Sequence, residues 1–550
     1  MSLLKIAGGH VVDPANGVDG IADLWIEDGR VVATPTDPSI KPDRTIDARG
    51  DVVMPAGVDI HCHIAGPKVN GARSMRPEEV RRGGFVERSS GRRSGTLGSI
   101  PSTFSTGAKY AGLGYGTAVD AAIAPLAARH THFELADTPI IDKAFLILLG
   151  SNHYVMERVR DGDRERLRAY LAWLLGVSRA YGVKIVNAGG VEVWKQGRGK
   201  VSTLDEVVPG FEVTPRGILT ELARTVDELK LPHPIHVHGQ NLGLPGNADS
   251  ALELMTALDG HRAHLAHIQF HSYGGTDTRT MNSQVGRLAD HFNAHQSLTL
   301  DVGQVMFGET TSMTADSAVG QFLHKVTGRK WLSHDVEMET GCGVVPITYE
   351  DKNAIHALQW AIGLEWFLRV DDPWRIALST DHPNGGSFLA YPQIIALLMD
   401  RGRRAEALAA LPAKVRDRCP LGDLSREYSL AEIAIITRSG PARMLGMTHK
   451  GHLGPRADGD VTIYRPDADK ERMFSLPRYL LKAGQVVLDD GELREADDGS
   501  LLHVAPERDT EAEAEIGRWF NERSSIRFAN YGMGPDEVPN ARRVEGGDES

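Results

Sequence analysis

Cysteine is scarce in this chain. Only Cys62, Cys342 and Cys419 occur among 550 residues, far apart and without a C-x-x-C pair, so neither a disulfide framework nor a zinc knuckle is expected. Long apolar runs are missing as well. The most apolar later stretch, "AFLILLG" (144–150), falls far short of the roughly 20 residues that a membrane span needs. The N-terminal "MSLLKIAGGHVVDP" turns to Gly, His and Asp before a leader-like core develops. No membrane span and no targeting segment are expected, which fits a reducing cytoplasm. Positive charge is in deficit: 61 Lys and Arg against 73 Asp and Glu leave a formal charge of −12. That balance argues against general affinity for nucleic acid or anionic membrane and favours protein and small-molecule partners.

What is present suits a folded chain with a full core, since 41% of residues are hydrophobic and 24% charged. The length predicts one large domain plus a smaller one. The opening "LLKIAGGHVVDPANGVDGIADLWIEDGRVVA" alternates apolar and polar residues between turn signals, and a similar texture returns in "GHLGPRADGDVTIYRP" and "YLLKAGQVVLDDGEL". A small β-sandwich assembled from both ends is expected, over 1–53 and 431–505. Between them, over 54–430, eight strand-length apolar runs appear: "GVDIHCH", "YGTAVDAA", "AFLILLG", "GVKIVN", "PIHVHG", "AHLAHIQ", "LTLDVGQV" and "RIALSTD". Helix-like segments separate several of them, which predicts an α/β fold with a closed (β/α)8 TIM-like barrel; a doubly wound sheet is the alternative. Two connections are long, about 65–114 and 307–374, the lengths at which loops become lids or partner surfaces. The tail, 506–550, carries a helix-like segment with Trp519, Phe520 and Phe528 that is expected to dock on the barrel or on a partner.

The chemistry gathers at the strand ends. Residues two apart on a strand share a face, so His61 and His63 project together from the first run, and two imidazoles on one face can share a metal. Lys184 lies among Val183, Ile185 and Val186, where burial depresses the amine's pKa and opens the way to a carbamate; a lysine that snorkels to solvent is the plain alternative. The fifth run offers His236 and His238, the sixth His264 and His267 with His271 just beyond, and the eighth ends in Asp381. Active sites of such barrels sit at the C-terminal strand ends. Asp381 is therefore a candidate metal ligand and proton acceptor, against an Asx turn as its structural role.

This set resembles the amidohydrolase superfamily: H-x-H on strand one, a carboxylated lysine on strand four, histidines on strands five and six and an aspartate on strand eight. The resemblance implies two zinc ions, bridged by carboxylated Lys184 and held by His61, His63, His238, His267 and Asp381. His236 competes with His238, and His264 and His271 with His267. The segments "HCHIAGPKVNGARSMRPE", "GVKIVNAGG", "IHVHGQNLGLPGN", "HIQFHSYGG", "GCGVVPITYEDKNAIHALQWAIGLEW" and "LSTDHPNGGSF" look like the amidohydrolase-type subunit family of formylmethanofuran dehydrogenase, and most like its bacterial branch in formyltransferase/hydrolase complexes. That likeness implies hydrolysis of formyl-methanofuran or formyl-methylofuran to formate and free amine, with Asp381 as the catalytic proton carrier. It also implies a formyltransferase and further subunits as partners. Asn70, Asn241 and His271, with Lys68 and Gln269, match the narrower family as candidate substrate contacts. The rival readings are a component of an archaeal-type dehydrogenase, a cyclic amidohydrolase of the dihydroorotase or hydantoinase type, and a scaffold protein without catalysis.

Overall fold

A computed structural model describes residues 3–545, apart from 38, 83–97, 198–200, 202, 337–338 and 539. The Arg- and Gly-rich middle of the first long connection and the end of the tail lie outside the described residues. Each of the eight apolar runs forms one strand of a parallel sheet: β1 Gly57–Cys62, β2 Tyr115–Ile123, β3 Asp142–Leu148, β4 Gly182–Val186, β5 Ile235–His238, β6 Ala263–Leu265, β7 Leu298–Asp301 and β8 Ile376–Ala377. Neighbours pair in chain order. First and last strands meet through a parallel bridge between Cys62 and His382, where the His63 N–H donates to the His382 carbonyl at 2.6 Å. An open, doubly wound sheet has no such seam. Every residue of β2, β3 and β4 is buried, because helices cover one face of a barrel strand and the packed interior the other.

Local signals in the sequence set the helices. Thr214 accepts from the Gly217 N–H and Pro215 occupies the first turn of Pro215–Glu228, a cap that satisfies otherwise orphaned amides. In Arg164–Ser178 the leucines Leu167, Leu171, Leu174 and Leu175 are buried, each contributing about 1.5–3 kcal/mol of hydrophobic stabilisation. The tail helix Thr510–Arg523 covers the same helix. Phe528 stacks on Trp173 at 4.8 Å, Phe520 meets Trp173 edge-on, and Trp519 Nε1 donates to Glu157 Oε2 at 2.8 Å. Leu501–His503 pairs with β3, and Ala541–Arg543 pairs with Leu501–His503 in turn.

Both chain ends contribute to a second, nine-stranded sheet. The halves join where Val52–Pro55 runs antiparallel to Val461–Tyr464. The sheet curls on itself: the Val31 N–H donates to the Ala457 carbonyl and the Arg456 N–H to the Val31 carbonyl, each at 2.9 Å. Ile26, Val31, Val461 and Leu481 share the enclosed core. A buried ion cluster ties this sheet to the barrel. Lys482 Nζ lies 2.7 Å from both Asp142, at the start of β3, and Asp460, while Lys450 bridges Asp142, Asp458 and Asp460.

The second long connection folds into a roof of three strands, Gly308–Thr314, Leu332–Val336 and Glu339–Tyr349, with the helix Ser317–Thr327. Buried Arg76, from the first long connection, clasps two of those strands. Its Nε donates to Thr311 Oγ1 at 2.9 Å, its terminal nitrogens donate to the Thr310 and Ile347 carbonyls, and it pairs with Glu309 at 2.7 Å. The two long connections therefore act together over the C-terminal end of the barrel. No helix among the described residues is long and apolar enough to cross a membrane.

Candidate active site

Under the roof lies a cavity of about 110 Å3. Its floor presents His61, His63, Lys184, His238, His267 and Asp381, the six residues expected at the strand ends. Apolar side chains including Phe270, Met313, Val319, Phe322 and Ile347 form its walls, with Tyr349, Gln359, Asn384 and Lys68 as polar lining. The rings of His61 and His63 lie 5.5 Å apart, His61 and His267 5.2 Å, and His238 and His267 4.6 Å.

His61 Nε2 and His63 Nε2 converge on one oxygen of Asp381, Oδ1, at 3.1 and 3.0 Å. His267 and Asp381 both adopt left-handed backbone, φ 35° and 50°, a strained conformation that surrounding contacts must hold. Asp301 Oδ1 accepts the His267 N–H at 3.1 Å, and Gly303 (φ 64°) leaves the space His267 needs, since an added Cβ there would lie 2.4 Å from His267 Cβ.

Electrostatics follow from burial. Lys184 is almost fully buried, which pushes its amine down to about 7 against the pull of Asp301 and Asp381. Burial also holds His238 and His267 well below the usual imidazole range, so both carry ligand lone pairs at neutral pH. For Asp381, burial favours the acid, but the imidazoles of His267 and His61 outweigh it and keep the carboxyl well below its ordinary range.

Several of these atoms have no hydrogen-bond partner among the described residues: His61 Nε2, His63 Nδ1, Lys184 Nζ, His238 Nε2, His267 Nδ1 and His271 Nε2. A buried polar atom left unpaired costs about 1–3 kcal/mol; of these, His61 Nε2 lies beside Asp381 Oδ1 at 3.1 Å and His63 Nδ1 lies 3.6 Å from Asp120 Oδ1. His61, His63 and Asp381 offer ligand atoms within 4.8 Å of one another, and so do His238, His267 and His271. Clustered imidazole and carboxylate donors of this kind fit metal ions, with the unpaired Lys184 amine lining the same cavity.

The remaining expected residues divide. His236 and His264 lie in a layer beneath the floor, where His236 Nε2 meets His61 Nδ1 at 3.2 Å and His264 Nε2 meets Asp301 Oδ2 at 3.2 Å. Lys68 reaches the cavity wall. Asn70 instead bonds Glu134 and His130, and the Asn241 side chain donates to Ser250. His271 stacks near His267, ring centres 5.4 Å apart. Gln269 Oε1 accepts from Tyr273.

Sequence reasoning missed three residues. Asp301, at the end of β7, accepts from His61 Nδ1 at 2.8 Å and Ser379 Oγ at 2.5 Å besides its His264 and His267 contacts. Asp120 on β2 accepts from Lys68 Nζ at 2.6 Å and from the Ile64 and Ala65 amides. Asn384 donates to Asp381 Oδ1 at 2.8 Å and accepts the N–H of Met313 in the roof. The signal for the two aspartates was a carboxylate inside an apolar run, "LTLDVG" and "TAVDAA", which is tolerable only when paired.

The profile of the amidohydrolase family matches residues 44–488, spanning the barrel and the part of the second sheet from Arg44–Asp47 onward. The chain belongs to the amidohydrolase family. This amidohydrolase is 41% identical over 563 aligned positions to Protein FwdA of Methanocaldococcus jannaschii, covering 98% of each chain. It is 42% identical over 547 positions to a subunit of the formyltransferase/hydrolase complex Fhc of Methylorubrum extorquens, covering 97% of each. The crystal structure of the formyltransferase/hydrolase complex (FhcABCD) from Methylorubrum extorquens in complex with methylofuran superposes with a TM-score of 0.92 at 40% identity. That match covers 98% of this chain and 99% of that one. Amidohydrolases typically bind metals, and the His and Asp clusters at this cavity floor suit that role.

Proposed function

We propose that this amidohydrolase is the hydrolytic component of a cytoplasmic formyltransferase/hydrolase-type assembly, cleaving the N-formyl amide of formyl-methylofuran or formyl-methanofuran to formate and free amine. One observation carries the reading: likeness to the methylofuran-bound complex extends over 98% of the chain, a share that must include the roof forming the cavity walls. An apolar-walled cavity over a polar floor also suits a linear amide with a large unsaturated body better than a compact cyclic one. In this reading the chain sits beside a formyltransferase and further subunits. The equally extensive likeness to FwdA supports a second reading, in which the same hydrolytic chemistry serves an archaeal-type dehydrogenase assembly.

The residues that would hold two zinc ions are His61, His63, Asp381, His238 and His267, and Lys184, once carboxylated, would add a further oxygen donor. An amine held at about 7 is partly neutral at physiological pH and able to add carbon dioxide. When bound, the metals supply Lewis acidity, polarising the formyl oxygen and lowering the pKa of a water. Asp381 takes the proton of the attacking water and returns it to the leaving nitrogen, so that water and formamide become formate and amine. Asn384 and the two imidazoles engage its Oδ1, and Oδ2 is the oxygen we assign to proton transfer. Buried His267 and the roof exclude bulk water from the reacting amide.

The test is formate release from formyl-methylofuran by metal-replete protein, with metal analysis, for wild type and Asp381→Ala. Formate release by wild type and its loss in the variant is the expected result. Opening of a cyclic amide with no formate released overturns the assignment.

A further inference from the structure

Beneath the floor runs a chain of three buried histidines whose far end is a backbone carbonyl. His233 Nδ1 lies 2.9 Å from the Met444 carbonyl oxygen. His233 Nε2 lies 3.1 Å from His236 Nδ1, and His236 Nε2 lies 3.2 Å from His61 Nδ1. All three rings are fully buried. Both nitrogens of His233 and of His236 are engaged in this arrangement, so flipping either ring would set carbon against a polar partner.

A carbonyl oxygen can only accept, which fixes the direction of the whole chain. His233 must carry its proton on Nδ1, leaving a lone pair on Nε2. His236 must then donate from Nδ1 and keep its lone pair on Nε2. That lone pair, with Asp301 Oδ2 at 2.8 Å, demands a proton on His61 Nδ1. The ligand lone pair of neutral His61 is left on Nε2, the atom that faces Asp381 and the cavity. Burial supports the neutral form of His233 at the head of this order, pushing it down to about 3.

We infer that His233 and His236 are positioning residues that transmit the polarity of the Met444 carbonyl to His61, locking it in the tautomer that presents Nε2 to a metal. The inference rests on the reading of His61 as a metal ligand. It differs from ordinary support of a ligand by one carboxylate, because Asp301 can accept from either nitrogen of a rotated ring, whereas the relay admits one order of protons.

The first experiment reads the tautomers directly: 15N chemical shifts of histidine in metal-free, full-length protein by solid-state NMR, with His233→Gln and His236→Gln supplying the assignments. Protons on Nδ1 of His233 and His236 are expected; an Nε2 proton on either overturns the relay. The second is zinc affinity by chelator competition. His233→Gln keeps an acceptor for His236 and is expected to stay within a few-fold of wild type. His233→Leu removes the acceptor and is expected to weaken one of the two zinc sites by about 10–100-fold, with folding checked by circular dichroism. Wild-type affinity in folded His233→Leu also overturns it. The tautomer measurement needs neither metal nor substrate, so failure of the relay is distinguishable from failure of the hydrolase assignment.

Discussion

Two layers of histidine sit one above the other in the same barrel, both buried. In the lower layer His233, His236 and His264 have both ring nitrogens engaged, the last with Thr299 and Asp301. In the upper layer His61, His63, His238, His267 and His271 each keep a nitrogen without a hydrogen-bond partner among the described residues, and so does the Lys184 amine. Identical side chains thus serve opposite purposes. The lower layer is a finished hydrogen-bond network that adds stability; the upper one is an unfinished coordination sphere that costs it.

Substitutions in the two layers should separate accordingly. The largest effect is expected for Asp381→Ala, which removes the proton carrier: formate release should fall by about 10²–10⁴-fold with the melting temperature little changed, measured by steady-state assay and calorimetry. Next is Lys184→Met. It should abolish stoichiometric zinc binding, yet the metal-free variant should melt above metal-free wild type, because an apolar chain replaces an unpaired buried amine. The sign of its pH dependence follows from a folded pKa of about 7, below the unfolded value. Wild type gains stability as pH rises from 7 towards 10, so the gap between the two should narrow over that window in metal-free melts.

A smaller and opposite effect is expected below the floor. His264→Leu leaves Thr299 Oγ1 only its 3.5 Å contact with the Ala263 carbonyl, removes one contact of Asp301, and should destabilise even metal-free protein by about 1–3 kcal/mol, read from urea unfolding. If upper-layer Lys184→Met and lower-layer His264→Leu shift metal-free stability in the same direction, the contrast between the layers is wrong. The smallest effect is assigned to Asn384→Ala, which frees Asp381 from its link to the roof. Turnover should drop about tenfold with zinc content intact, checked by kcat together with metal analysis.

Much of this was legible in the sequence because strand period and strand-end position are local properties. "GVDIHCH" and "GVKIVN" needed no partner to be read as strands, with His61 and His63 at the end of the first and Lys184 inside the second, and Asp381 stood past the eighth. Choosing His238 over His236 for the cavity floor was not local: the two share a face, and only the length of β5 decides which reaches the cavity. The roof was invisible for a related reason. Gly308–Thr314 pairs with Glu339–Tyr349 across an intervening helix and strand, and "ETGCGVVPITY" holds two glycines and a proline, which weaken any strand signal. Asp301 and Asp120 looked like interruptions in apolar runs until their partners from other strands were known.

The seam between the chain ends sets the order in which this molecule can be completed. Val52–Pro55 finds its antiparallel partner only in Val461–Tyr464, so on the ribosome the N-terminal half of the curled sheet waits with an open edge until the barrel and most of the chain have been made. Pairing so remote in sequence is slow and leaves sticky strands exposed meanwhile. During synthesis, the stretch most in need of a chaperone is therefore the first fifty residues, although in the finished fold they lie outside the barrel that houses the chemistry.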